Sequence, residues 1–233
     1  MSKASEQLVL VLGYKNYSSW SLRPYLAMKA AGLAFEEIVI ALYLPEAAAA
    51  LATHSPTAKV PVLKHGESVI WDSLSICEYV NELAPQARLW PQDAAARAMA
   101  RSAAAEMHSG FMDLRRERPM NVRARFAARP LSPAVQADVA RIDALWCQCR
   151  ARFGAGADAE NTRPDKGFLF GGFSIADAMF GPVVSRFITY AVPLSAVARA
   201  YVQRMEAFAP MQAWAKDAAA EPWRNDVHDK IFA

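Results

Sequence analysis

The chain has 233 residues, 54% hydrophobic and 21% charged, with 26 basic and 23 acidic side chains and a net charge of +3. It is long enough for one large or two small domains with a substantial core, and too apolar for a disordered segment. The near balance of charge excludes a strong field for nucleic acid or a membrane surface, and no stretch approaches the roughly 20 apolar residues of a membrane span.

The apolar run 8–12, stopped by Gly13, predicts a buried strand. A polar loop, 14–19, follows. From Ser21 the apolar residues Leu22, Tyr25, Leu26, Met28 and Leu33 recur at three and four, which predicts a helix with Pro24 in its first turn and Gly32 as its stop. Residues 35–40 predict a second strand and 45–52 a short helix broken by His54-Ser55-Pro56. Two short strands, 62–64 and 69–71, flank the turn His65-Gly66-Glu67 as an antiparallel hairpin, and a helix follows through Leu74, Cys77 and Leu83. This β-α-β-α-β-β-α order predicts a small mixed sheet. Composition changes after Pro85. The expected division is an α/β domain over 1–84, a linker over 85–91 and an all-helical domain over 92–233, with helices at 92–118, 132–153, 174–190, 196–208 and 211–219 and a polar loop at 154–167.

The stretch A-K-V-P-V-L-K-H-G-E-S-V-I-W-D-S over 58–73 carries the most chemistry. Pro61 opens a strand, where a proline marks a turn and sometimes a cis peptide. Such a turn would offer the Val60 backbone N–H and C=O to a peptide-like ligand. Asp72-Ser73 at a helix start would present a carboxylate, a hydroxyl and free N–H groups to a ligand bearing both an ammonium and a carboxylate. Together these make a site for a small peptide.

Cys77, Cys147 and Cys149 are an odd set with no disulfide framework; the C-x-C pair is too close for an ordinary disulfide and has no partners for a zinc site. They suggest a reducing compartment, and with a polar opening rather than a signal-peptide pattern the expected location is cytoplasmic. The run Arg115, Arg116, Arg118, followed by Arg123, Arg125 and Arg129, reads as a solvated face or as a carboxylate or phosphate contact. The chain shows no P-loop, no G-x-G-x-x-G and no metal-ligand cluster.

Four local features, Y-S-S-W-S-L-R after the first strand, K-V-P-V-L, W-D-S, and G-F-S-I-A-D in the C-terminal half, occur in an order that resembles the cytosolic glutathione transferase family over almost the whole chain. The resemblance implies a thioredoxin-like N-terminal domain, a helical C-terminal domain, glutathione as co-substrate, no metal, and a homodimer. In G-F-S-I-A-D it implies a helix cap, with Ser174 paired to Asp177. The serine turn is most similar to the serine-type zeta class, which includes maleylacetoacetate isomerase; Trp20 stands where zeta enzymes carry cysteine.

A glutathione transferase must ionise a thiol near neutral pH, and a hydroxyl donated to sulfur at a helix N-terminus favours the thiolate. Ser18 and Ser19 are the candidates, with Tyr17 behind them; a plain helix cap is the competing role. Asp72 and Ser73 would hold the γ-glutamyl end, Val60 beside Pro61 the cysteinyl backbone, and Lys59 a carboxylate. Trp20 counts among the glutathione contacts, and Trp20 and Trp223 are candidate walls of an apolar pocket. Met107, His108, Phe111, Met112 and Arg115, taken as neighbouring turns of one helix, are the candidates for the second-substrate pocket, with Arg115 suited to an acidic co-substrate and His108 to proton transfer. Cys77 reads as a buried structural thiol. The expected function is addition of the glutathione thiolate to an apolar electrophile, as in detoxification. A glutathione-dependent cis–trans isomerase of a maleyl-type diacid is one alternative, and a non-catalytic binding or regulatory protein on the same fold is the other.

Overall fold

A computed structural model describes residues 7–154 and 164–231. The polar opening segment and most of the loop expected at 154–167 lie outside the described residues.

Strand β1 (Leu8–Gly13) is central because it is apolar throughout. It pairs in parallel with β2 (Glu36–Ile40) and antiparallel with β3 (Val62–His65), which pairs with β4 (Ser68–Trp71), giving the order β2-β1-β3-β4. Alternation along β1 serves both faces. Leu8, Leu10 and Leu12 join the main core with α1 (Ser19–Ala30) and α3 (Ser73–Leu83), whereas Val11 meets Ile40 and Val62 under α2 (Ala47–His54). This is a thioredoxin-like α/β domain.

Helix α1 begins two residues earlier than the apolar periodicity places it. Ser18 takes the extended cap conformation and its hydroxyl accepts from the Ser21 N–H. A polar first turn carries no apolar signal, so Pro24 lies inside the helix rather than in its first turn. Gly32, at φ +70°, ends the segment as expected, with Leu33 N donating to Met28 O.

After a 3₁₀ turn at Pro85–Ala87 the described chain is helical: α4 (Ala94–Ser109), α5 (Met112–Glu117), α6 (Pro133–Phe153), α7 (Ile175–Thr189), α8 (Ala196–Glu206), α9 (Ala209–Ala220) and the short α10 (Asp226–Asp229). The single helix expected over 92–118 is broken at Gly110-Phe111. Phe111 is left-handed at φ 60°, and Asp138 accepts from Leu114 N at the new helix start. The Arg115 guanidinium folds back onto the carbonyls of Met107, His108 and Gly110, satisfying the end of α4.

Helix α7 is the axis of the helical part. The buried Asp177 carboxylate accepts from Ser174 N and Oγ, each at 2.8 Å, and from Leu169 N at 3.0 Å, so the expected helix cap also anchors the preceding loop. Gly181 lets α1 approach α7, since a Cβ there would sit 2.6 Å from Leu26 Cδ1. No helix among the described residues is long and apolar enough to cross a membrane.

Candidate active site

Two clefts open along the carboxyl end of β1 and share Trp20, Lys59 and Val60 as a common wall. The first, about 550 Å³, runs over Pro61, Trp71, Asp72 and Ser73. The other, about 500 Å³, runs over Ser18, Ser19, Met112, Arg115, Met120, Arg186 and His228.

The first cleft is built by local turns. Val60-Pro61 is cis. The loop before it is closed by Ser55, whose Oγ donates to Lys59 O at 2.7 Å and accepts from Lys59 N at 3.1 Å. Asp72 takes φ 72°, and its Oδ1 accepts from Leu74 N and Ser75 N, so it caps α3. Its Oδ2 lies 3.2 Å from His108 Nε2. The Ser73 hydroxyl accepts from Arg23 at 3.3 Å.

Arg23 is fully buried, and its Nε and Nη2 have no hydrogen-bond partner among the described residues. Burial, with Arg115 and Arg186 nearby, lowers its pKa to about 9. Its guanidinium stacks 4.3 Å from the centre of the Trp20 ring, and Arg115 approaches the same ring at 5.1 Å. Trp20 is thus held by two cations and by the edge of His108.

At the start of α1 the two serines differ. Ser18 Oγ donates to Ser21 Oγ at 2.8 Å while accepting from Ser21 N, and Ser21 Oγ also accepts from Gly13 N. The Ser18 hydroxyl is therefore committed to the turn. Ser19 lines the cleft, and among the described residues its hydroxyl has no partner. Tyr17 is committed as well: its hydroxyl donates to Asp229 at 2.9 Å and accepts from Asn225 N and Arg123.

Of the five residues placed by sequence in a second-substrate pocket, Met112 and Arg115 line the second cleft. Met107 and Phe111 are buried in the core, and His108 turns towards Asp72 and Trp20. The break at Gly110-Phe111 separates residues that a continuous helix would have aligned. Trp223 stacks on Tyr14 at 5.3 Å instead of facing the cleft. Cys77 is buried and its thiol is pushed well above the usual range by desolvation.

Sequence reasoning missed Arg186 and His228. Arg186 looks like one more position of an apolar helix, and only the packing of α7 turns it to the cleft. Its Nε donates to Arg118 O and its Nη1 to Pro182 O, and burial lowers its pKa to about 9. His228 follows the last strong periodic segment, with no pattern to mark it.

The turn 14–19 is fastened from the far end of the chain. Glu221 accepts from Lys15 N and Asn16 N at 2.6 and 3.1 Å, Trp214 Nε1 donates to Lys15 O, and the Lys15 ammonium bridges Glu37 and Asp217. Asn16 bonds Asn121 and Arg123 N.

Residues 17–83 match the family model for the glutathione S-transferase N-terminal domain. A probable maleylacetoacetate isomerase of Caenorhabditis elegans is 33% identical over 111 residues, 48% of this chain and 51% of the relative. Glutathione S-transferase 1 of Dianthus caryophyllus is 34% identical over 115 residues, 49% and 52% of the two chains. The chain thus spans about half the length of the curated relatives it matches. Among solved structures, a glutathione transferase homologue from Burkholderia gl BGR1 with bound glutathione superposes with a TM-score of 0.66 at 24% identity, covering 92% of this chain and 99% of its own. The glutathione transferase Omega 2S of Trametes versicolor in complex with 2,4-dihydroxybenzophenone gives 0.66 at 20% identity, covering 93% and 96%. These likenesses carry the fold. The N-terminal match marks residues 17–83 as a glutathione S-transferase N-terminal domain, and the chain as a whole shares the fold of these glutathione transferase structures.

Proposed function

We propose that the protein is a glutathione transferase in which Ser19 stabilises the thiolate. Glutathione lies along the first cleft, with its γ-glutamyl ammonium and carboxylate at Asp72 and Ser73, its cysteinyl backbone against Val60, and a carboxylate within reach of Lys59. Its sulfur then reaches the start of α1. The observation that carries this reading is the free Ser19 hydroxyl at the positive end of that helix, where donation to sulfur favours the charged form. The electrophile occupies the second cleft, between Trp20, Met112 and Met120. The thiol comes from the ligand, since the buried Cys77 is held in its neutral form.

A second reading has its own support. Arg115 and Arg186 both line the second cleft; among the described residues each keeps one guanidinium nitrogen without a partner and no carboxylate lines that cleft. An anionic electrophile would be held there, as in the isomerisation of a maleyl-type diacid by reversible thiolate addition. The non-catalytic reading has no such support. A cytoplasmic homodimer belongs to the proposal, with the exposed Val69 and Trp71 of the edge strand β4 available to a second copy.

An ultraviolet titration of bound glutathione tests the proposal. Thiolate absorbance near neutral pH is expected for the native protein and for Ser18→Ala, and its loss is expected for Ser19→Ala. Glutathione bound with no thiolate at any pH below that of free glutathione would return the protein to the binding-module reading.

A further inference from the structure

A thiol that ionises must hand its proton to something, and the second cleft offers few acceptors. Its lining includes Lys59, Arg115 and Arg186, which are cations, and Tyr14, Tyr17 and Tyr43, which are phenols. No Asp or Glu lines it among the described residues. One lining group can accept a proton near neutrality, and that group is His228.

On the transferase reading above, we propose that His228 is a catalytic base that takes the proton from the glutathione sulfur. The S–H bond breaks with its electron pair remaining on sulfur, and the proton forms an N–H bond on the neutral imidazole. The thiolate, held by the Ser19 hydroxyl, attacks the electrophile; the imidazolium gives its proton to the displaced group or to water.

The geometry supports this in two ways. First, the imidazole is not committed elsewhere. Nδ1 is buried with no partner, and Nε2 has none among the described residues. Second, its carrier is fixed to the turn that bears the serines. Tyr17 OH accepts from Asn225 N and donates to Asp229, Asn121 donates to Asp229 Oδ1, and Arg123 binds the carbonyls of Glu221 and Trp223. The His228 ring packs at 5.4 Å from Tyr17 and 6.4 Å from Tyr43.

The charged and titratable groups around it come from five segments of the chain. Arg186 on α7 and Asp229 on its own helix act on it directly; Tyr17 and Tyr43 flank the ring; Arg123 acts through Tyr17; Asp226 and Lys230 pair with each other at 2.8 Å. Burial, opposed by Asp229 and aided by Arg186, holds the imidazole below its ordinary value. The imidazole is thus available as an acceptor in the free protein, and the thiolate formed beside it favours the imidazolium once the proton has moved, so that the proton stays on the protein.

Proton accounting on the full chain separates this from a packing role. Native protein, His228→Gln and His228→Phe are mixed with glutathione at pH 7 in weak buffer containing a pH dye, while thiolate absorbance is followed. The same mixing with S-methyl glutathione, which has no thiol, supplies the background. His228→Phe keeps the ring contacts with Tyr17 and Tyr43 and removes the base. The expected result is thiolate without matching proton release in the native protein. In both variants the thiolate falls roughly tenfold, and each thiolate that remains releases one proton to solvent. A full proton released per thiolate by native protein and variants alike overturns the role of His228 while leaving the transferase reading intact. No thiolate in the native protein overturns both.

Discussion

The two clefts of the candidate site are walled in opposite ways. The wall of the first cleft comes from short contiguous stretches: Ser55 clamping Lys59, the Val60-Pro61 turn, and Asp72-Ser73 at the start of α3. The far wall of the second takes Met112 and Arg115 from α5, Met120 from the following loop, Arg186 from α7 and His228 from α10. The first positions a ligand through backbone groups and caps, which local sequence dictates. The second sets charge and proton affinity through side chains that meet only after the helices pack. On the proposed function, recognition of the peptide rests on the first cleft and choice of its partner on the far wall of the second, and the two clefts meet at Trp20, Lys59 and Val60.

Five substitutions test that division, and the largest effect falls outside both walls. Asp177→Ala leaves Leu169 N and Ser174 N buried without an acceptor and is expected to cost about 3 kcal/mol by urea denaturation. Burial raises the Asp177 carboxyl to about 6, above its value in the unfolded chain. Its protonated form therefore contributes stability that is fully present below about pH 4 and lost as the pH rises through about 6. The cost of the substitution should accordingly be larger at pH 5 than at pH 7.5; equal costs at the two pH values would contradict the buried, protonated carboxyl.

On the first wall, Asp72→Ala should weaken glutathione binding by about 2 kcal/mol, roughly 30-fold in Kd by calorimetry. An unchanged Kd would reduce Asp72 to the cap of α3. On the second, Arg186→Met should raise KM roughly tenfold, about 1.4 kcal/mol, for an anionic electrophile and leave a neutral one within about twofold. Equal effects on both electrophiles would mean that Arg186 only braces α7 through Arg118 and Pro182.

The smallest effect distinguishes the serines. Ser18→Ala removes a helix cap and should cost about 1 kcal/mol of stability with the thiolate retained, whereas Ser19→Ala should leave denaturation unchanged within about 0.5 kcal/mol. Reversed results would return the hydroxyl donor to Ser18.

Much of this was legible in the residues and some was not, for identifiable reasons. The four strands, α3 and the cap at Ser174-Asp177 announce themselves through periodicity and short-range chemistry. The break at Gly110-Phe111 does not, because an aromatic residue in a left-handed conformation is held there by its neighbours rather than by preference. That break is also why Met107, His108 and Phe111 leave the cleft while Met112 and Arg115 enter it. The choice between Ser18 and Ser19 was open in the sequence, since both are good caps; the hydrogen bond from Ser18 to Ser21 is a tertiary detail that favours Ser19 in the proposal.

Sequence alone determined the β-α-β-α-β-β-α order, the Val60-Pro61 turn and the Asp72-Ser73 helix start, because each depends on interactions within a few residues of the chain. Tertiary structure decided which cations face the second cleft, that Glu221 fastens the serine turn, and that His228 stands among its lining. Those contacts join residues more than a hundred positions apart, and their formation depends on how α1, α7 and the C-terminal segment pack, which no local pattern encodes.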